Sequence, residues 1–266
     1  MKLSSESITN AFNLRRINEL VIQCIVSEDK IKDIGETILN YNDKVKLIYE
    51  ISNNNEKTID TLLINLDKLK SEKLIDLENY LISFKRSKQI ILDLSGINKT
   101  IDNRELILSF INRYNIDIIK GTKEEVFFLI TGQKYYVTLL DDSYRDFSKK
   151  NETILIIKDK KYWITDGYSE FTINSEKNLL DYKRFEDILI GLIVATTALC
   201  STKEQRVEAI LLAIIIFEKS KNLALQKIEI DGLEENIKKY LIQEIACLNS
   251  QDIYMFNDIG YKFKRR

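Results

Sequence analysis

Residues 89–96 are Gln-Ile-Ile-Leu-Asp-Leu-Ser-Gly, an apolar run that ends on a carboxylate and a glycine. A second run of this kind, IDIIKGTKEE, occupies residues 116–125. Such runs are typical of buried parallel strands whose carboxyl ends present polar groups, and helically spaced apolar residues between the two runs predict a β-α-β unit. Open α/β sheets bind ligands beyond their strand ends, so Asp93 and Glu125 are the first candidates for chemistry. The alternative is that both are solvated loop charges.

Composition excludes several kinds of site. The 266 residues carry 40 Lys and Arg against 41 Asp and Glu, a net charge of −1, so no electrostatic footprint for nucleic acid is expected. The three cysteines are far apart and the chain contains no histidine, which rules out His/Cys zinc sites and Ser-His or Cys-His dyads. Neither a GxGxxG fingerprint nor a GxxxxGK phosphate loop is present.

Apolar runs alternate with helical patterns along the whole chain. This alternation predicts one α/β domain over residues 1–266, with a mostly parallel central sheet flanked by helices and an antiparallel hairpin within residues 162–173. Three helices are expected to close the chain, at 187–200, 203–221 and 234–248. The longest apolar runs, 188–200 and 209–217, fall short of the roughly 20 residues that span a bilayer, so no membrane partner is expected. Three dispersed cysteines without a CxxC pair suit a reducing compartment, so we expect a cytoplasmic protein.

Several short motifs occur in the order found in one family. Residues 21–27 (VIQCIVS) resemble the LVHCITN strand of hydroxyethylthiazole kinases, and residues 64–69 (INLDKL) resemble INIGTL. LDLSG at 92–96 is similar to LDPVG, IKGTKEE at 119–125 is similar to IRGNxxE, and the hairpin contains the same TDG. The chain is therefore identified as a divergent relative of hydroxyethylthiazole kinase, a ribokinase-like small-molecule kinase of thiamine salvage.

This resemblance implies a three-layer ribokinase-like fold, a homotrimer, and the use of ATP and Mg²⁺ to phosphorylate 4-methyl-5-(2-hydroxyethyl)thiazole. By position, Asp93 and Glu125 would organise magnesium around the ATP phosphates. Residues that would contact the nucleotide are Lys120 (in place of an arginine), Gly121, Thr122 and Lys158. Residues near the thiazole and the trimer interface would be Cys24 and Leu47, although a buried small apolar role is the simpler interpretation of Cys24.

Two glycine-dependent phosphate motifs of the family are altered in this chain. The family's VTG corresponds to residues 157–159, IKD, and its GTGC corresponds to residues 184–187, RFED. Glu186 would repel a phosphate, whereas Arg184 could bind one. Asp187 matches the aspartate that takes the hydroxyl proton in the wider ribokinase-like group, and it could equally be the N-cap of the apolar helix that follows.

Three hypotheses follow from these residues. The first is a hydroxyethylthiazole kinase with a degraded phosphate site. The second is an inactive pseudoenzyme that binds a thiazole-like or nucleotide ligand, or a protein partner. The third is a different α/β protein without a shared site.

Overall fold

The computed structural model describes residues 12, 19–49, 59–67, 71–83, 89–97, 104–133, 141–175, 185–232 and 234–254. The strands are β1 Leu20–Ile25, β2 Val45–Ile48, β3 Thr61–Asn65, β4 Gln89–Asp93, β5 Ile118–Thr122, β6 Ile154–Lys158, β7 Lys161–Thr165 and β8 Glu170–Asn174. The helices are α1 Glu28–Tyr41, α2 Ser71–Ser83, α3 Arg104–Tyr114, α4 Lys123–Thr131, α5 Asp141–Lys150, α6 Glu186–Thr197, α7 Lys203–Asp231, α8 Ile237–Cys247 and α9 Ser250–Tyr254, and a short 3₁₀ turn, Glu234–Asn236, precedes α8.

The strands form one eight-stranded sheet in the order β2-β1-β3-β4-β5-β6-β7-β8. Strands β1, β3, β4, β5 and β6 pair in parallel, and β7 and β8 add an antiparallel hairpin at one edge. The parallel strands β3 and β6 are buried along their whole length, as expected for strands covered on both faces. This confirms the predicted α/β class, the mostly parallel sheet and the hairpin.

The described chain divides into two compact units. The first takes residues 21–28 and 47–174 and contains nearly all of the sheet together with α2 to α5. Its core includes a row of in-register residues on adjacent strands, which packs with residues of those helices. The members of the row are Ile25, Ile64, Leu92, Ile119 and Leu155.

The second unit takes residues 12, 19–20, 29–46 and 175–254 of the described chain and is mainly helical, with only the first residues of β1 and β2 as strand. Helix α6 packs against α7, and α7 packs against α8. Helix α6, which lies within the helix predicted at 187–200 apart from its first residue, is buried from Ile188 to Thr197. A Cβ atom added at Gly191 would lie 3.1 Å from the Ile34 carbonyl oxygen and 3.1 Å from Thr37 Cβ, so α1 and α6 approach closely at this glycine.

Several predicted boundaries shift in the structure. The helix expected at 203–221 continues to Asp231, and the one expected at 234–248 is replaced by the 3₁₀ turn and α8. The helix expected at 187–200 spans Glu186–Thr197. The alternative in which Asp187 is its N-cap was wrong, because Phe185 is the N-cap and no side chain forms a capping hydrogen bond. No helix in the described part of the chain is long and apolar enough to cross a membrane. The single domain over 1–266 stays a prediction.

Candidate functional site

A row of polar side chains crosses three adjacent strands of the sheet. Asn65 closes β3 and pairs in register with Asp93, which closes β4 and pairs in register with Lys120 of β5. Side chains alternate between the faces of a strand, so in-register neighbours of this kind lie side by side on one face. All three are almost completely buried, at 0%, 1% and 2% exposure in that order.

Both carboxylate oxygens of Asp93 accept hydrogen bonds, from members of this row and from Ser95 just beyond β4. Asn65 Nδ2 donates to Oδ2 at 2.8 Å, and the Ser95 hydroxyl donates to Oδ1 at 3.1 Å. The Lys120 ammonium lies 3.4 Å from the same Oδ1. The backbone N–H of Ser95 adds a donor at 3.3 Å from Oδ1. Asp93 is therefore a buried carboxylate paired with a lysine. The alternative, that Asp93 is a solvated loop charge, was wrong.

Glu125 lies in the first turn of α4, not at the strand end where the sequence pattern placed it. Its carboxylate accepts from the backbone N–H of Thr122 at 2.8 Å and from that of Gly96 at 2.7 Å. The Thr122 hydroxyl accepts from the Glu125 N–H, which completes a capping box. Burial raises the pKa of Glu125 above its ordinary value, while the two backbone hydrogen bonds act against that shift.

Gly121 and Thr122 were predicted to contact nucleotide. In the structure both lie where β5 meets α4, and both have a role in packing or capping that helix. A Cβ atom at Gly121 would lie 3.1 Å from Leu94 Cδ1 and 3.2 Å from Val126 Cγ2, so the glycine lets α4 pack closely on the sheet. Thr122 is the N-cap of α4. These contacts explain both residue types without a ligand, and the nucleotide role stays a prediction.

Asp187 lies in the first turn of α6, in the helical unit. The Lys30 ammonium of α1 lies 3.1 Å from Asp187 Oδ1, and the two side chains are 10% and 18% exposed. Each residue lies one turn before the close α1–α6 contact, since Gly191 follows Asp187 by four positions and Ile34 follows Lys30 by four. Asp187 is therefore held by a neighbouring helix, and its acidic charge in the first turn suits the helix dipole.

The other predicted site residues are separate from the polar row. Lys158 closes β6, and its ammonium lies 3.9 Å from the centre of the Tyr162 ring. Cys24 is completely buried in β1, and burial raises the pKa of its thiol to about 12. Leu47 lies in β2 and is half-buried. Arg184 is outside the described residues.

The residues present do not fit direct coordination of magnesium. Magnesium requires an octahedral set of oxygen ligands, usually one or two carboxylates plus water and phosphate. The Asp93 oxygens already hold Asn65, Ser95 and Lys120, and the Glu125 oxygens hold two backbone N–H groups. In the described ranges, no group of three or more Asp, Glu, His or Cys residues could hold a metal ion. The metal role of Asp93 and Glu125 stays a prediction from resemblance.

Sequence reasoning missed Asn65 and Lys30. Asn65 had a signal, because it closes the apolar run at residues 62–64 as Asp93 closes the run at 90–92. Lys30 had none, because its partner is far away in sequence and the pair forms only when α1 and α6 pack together.

Comparison with solved structures identifies the fold. The structure of hydroxyethylthiazole kinase from Pyrococcus horikoshii OT3 superposes with a TM-score of 0.76 at 16% sequence identity, covering 98% of this chain and 100% of that one. The chain has the ribokinase-like fold. A ribokinase-like superfamily protein from Enterococcus faecalis V583 gives a TM-score of 0.57 at 14% identity, covering 93% of this chain and 96% of that chain.

More distant ribokinase-like similarity extends to a pyridoxal kinase. The Staphylococcus aureus enzyme in complex with AMP-PCP gives a TM-score of 0.54 at 10% identity, covering 76% of this chain and 87% of that chain. No family model and no curated protein sequence matches this chain. The similarity confirms the predicted ribokinase-like fold. It therefore rejects the part of the third hypothesis that assigned the chain to a different α/β fold.

Proposed function

We propose that the protein is a small-molecule kinase that transfers the γ-phosphoryl group of ATP to the hydroxyl of 4-methyl-5-(2-hydroxyethyl)thiazole, at a rate lowered by changes in its phosphate contacts. The observation that carries the proposal is the full-length likeness to the P. horikoshii protein, with a TM-score of 0.76. The AMP-PCP complex of the pyridoxal kinase supports ATP as the phosphoryl donor. Magnesium would enter with ATP as part of the substrate.

Asp187 is the general base of the proposed reaction. Its carboxylate would take the proton of the substrate hydroxyl while that oxygen attacks the γ-phosphorus and the bond to ADP breaks. Lys30, 3.1 Å from Oδ1, would hold the carboxylate in one position. A fixed carboxylate suits phosphoryl transfer, in which positioning and electrostatics supply most of the catalysis.

Positive side chains would replace part of the lost glycine motifs. Lys158 would bind phosphate oxygens, and Arg184 would do so with a bidentate guanidinium. They are less suited to the transition state than bare backbone N–H groups, since loss of one preorganised donor costs roughly 10²–10³ in rate. We therefore propose slow but measurable turnover.

The test is ADP release from Mg-ATP that depends on the thiazole alcohol. Asp187→Asn should lower the turnover by about 10²–10⁴ because the base is removed. Asp33→Asn is the matched control, since Asp33 also forms an ion pair with a lysine, Lys238, within the same unit. Equal turnover of wild type and Asp187→Asn would reject this mechanism.

A second candidate is a non-catalytic protein that binds a thiazole-like or nucleotide ligand, or a protein partner. Its specific support is that lysines already neutralise both carboxylates of interest, Lys30 at Asp187 and Lys120 at Asp93. Thermal unfolding with each ligand separates the candidates. A rise in the midpoint with the thiazole alcohol, no rise with Mg-ATP and no turnover would favour the non-catalytic protein over the kinase.

A further inference from the structure

The polar row Asn65–Asp93–Lys120 indicates which cation balances the negative charge of Asp93 at the end of β4. We propose that the Lys120 ammonium is a built-in counterion of Asp93 that takes the place of a divalent metal ion, so that Asp93 binds no metal while Lys120 is present. The inference is independent of the proposed kinase activity, because it concerns the protein without nucleotide.

The backbone fixes this arrangement. Asp93 pairs in register with Asn65 on one side and with Lys120 on the other. The Leu66 N–H donates to the Asp93 carbonyl at 3.0 Å, and the Leu94 N–H donates to the Lys120 carbonyl at 2.8 Å, so pairing continues beyond the three residues. Adjacent strands lie about 4.8 Å apart, which leaves Asp93 little freedom to turn away from Lys120.

Charge and burial leave no room for a second cation on Asp93. The side chains of Lys120 and Asp93 are 3% and 1% exposed, so water screens their attraction weakly. A magnesium ion on Oδ1 would have to displace the ammonium or stand against its charge, and a magnesium ion on Oδ2 would have to displace the Asn65 amide. The lysine ammonium is a compact point charge, so it can stand against a single carboxylate oxygen as a small metal ion would.

Glu125 is not available to bind a metal ion together with Asp93. Its two oxygens bind the N–H groups of Gly96, which lies just after β4, and of Thr122, at the start of α4. A metal ion shared by Asp93 and Glu125 would have to break one of these contacts as well as the lysine pair. The existing contacts therefore favour the ammonium.

Removal of the ammonium should expose a latent cation site. In Lys120→Met, Asp93 would remain buried without its counterion, and such a carboxylate is strongly destabilising. A small divalent cation could then approach the carboxylate through the space left by the ammonium. Any cation that binds only the folded protein raises its unfolding midpoint.

The experiment measures thermal unfolding and Mn²⁺ binding by electron paramagnetic resonance, without nucleotide. Wild type, Lys120→Met and the double variant Lys120→Met/Asp93→Asn are compared in MgCl₂ and in EDTA at matched ionic strength. Lys158→Met is the matched control, because it also removes a buried ammonium from a strand of the same sheet, in this case one that lies over the Tyr162 ring.

Wild type should show the same midpoint in MgCl₂ and in EDTA, and no Mn²⁺ binding. Lys120→Met should lose roughly 5–15 °C in EDTA. It should regain part of this loss in MgCl₂ and bind one Mn²⁺. The double variant and Lys158→Met should show no response to the metal.

Two results would overturn the inference. One is Mn²⁺ binding by wild type that Asp93→Asn abolishes. The other is a folded Lys120→Met that neither binds Mn²⁺ nor recovers stability in MgCl₂. If Lys120→Met does not fold, the comparison of wild type with Asp93→Asn decides: binding lost in the variant rejects the inference, and no binding by wild type supports it.

Discussion

At the residue scale, the three cysteines differ in their access to solvent. Cys24 is completely buried in β1, and burial raises the pKa of Cys24 and of Cys200 to about 12. Cys247 is exposed at the end of α8. Only the thiolate reacts with alkylating reagents, so a high pKa and burial both slow modification.

We predict that an alkylating reagent modifies Cys247 first in the native protein. The measurement is intact mass against time at mildly alkaline pH, with Cys247→Ser as the control that should remove the fast phase. In denaturant all three thiols should react. Fast modification of Cys24 in the folded protein would contradict its burial and would revive a direct role for its thiol at a substrate pocket.

The same scale shows which part of the candidate site could be predicted. Asp93 and Glu125 were found because each follows an apolar run, and Asp187 because its position matches an aspartate of the ribokinase-like group. Their partners were not found, since a charged side chain gives no local signal of the residue it will meet. The Lys30–Asp187 and Asp93–Lys120 ion pairs exist only after α1 meets α6 and β4 meets β5.

At the element scale, two helices begin with equivalent capping boxes. Thr122 with Glu125 starts α4, and Thr202 with Gln205 starts α7. Thr122→Ala and Thr202→Ala should each lower the free energy of unfolding by about 1 kcal/mol, because each leaves a helix N–H without its acceptor. Urea denaturation measures this loss, and the corresponding serine variants should retain most of the stability. A loss of nucleotide affinity in Thr122→Ala with unchanged stability would contradict a purely structural role.

Two glycines with similar backbone angles provide a second test at this scale. Gly167 has φ +89°, and a Cβ there would lie 2.6 Å from the backbone of Lys149 in α5. Gly232 has φ +72° with no atom within 4 Å of such a Cβ.

Gly232→Ala should therefore cost only the strain of the left-handed backbone, about 1 kcal/mol. Gly167→Ala should cost about 3 kcal/mol or more, because the hairpin must also move away from α5. Chemical denaturation of the two variants measures the difference. Equal losses would mean that α5 does not pack tightly on the hairpin.

The elements that the sequence failed to predict have weak patterns. Helix α5 is strongly polar, and its few apolar residues, such as Tyr144 and Phe147, were too sparse to indicate a helix. Strand β2 has only four residues, and Lys46 is exposed within it. The parallel strands were predictable because burial on both faces requires continuous apolar runs.

At the scale of the whole molecule, motif order gave more information than periodicity. Alternating strands and helices indicated only an α/β protein, whereas the ordered resemblance of short motifs indicated the ribokinase-like fold that the structural comparison then confirmed. Neither the periodicity nor the fold determines the substrate, because one fold accommodates many reactions. The homotrimer stays a prediction, and light scattering would test it as a mass three times the 31.2 kDa of one chain.

The most direct test of the proposed function is detection of the phosphorylated thiazole itself by mass spectrometry, since ADP release alone also reports ATP hydrolysis. Purified protein is incubated with Mg-ATP and the thiazole alcohol, beside Asp187→Asn and Asp33→Asn. We predict that wild type and Asp33→Asn accumulate the phosphate ester over many turnovers and that Asp187→Asn does not. No ester from folded wild-type protein, or equal amounts from Asp187→Asn, would contradict the proposal.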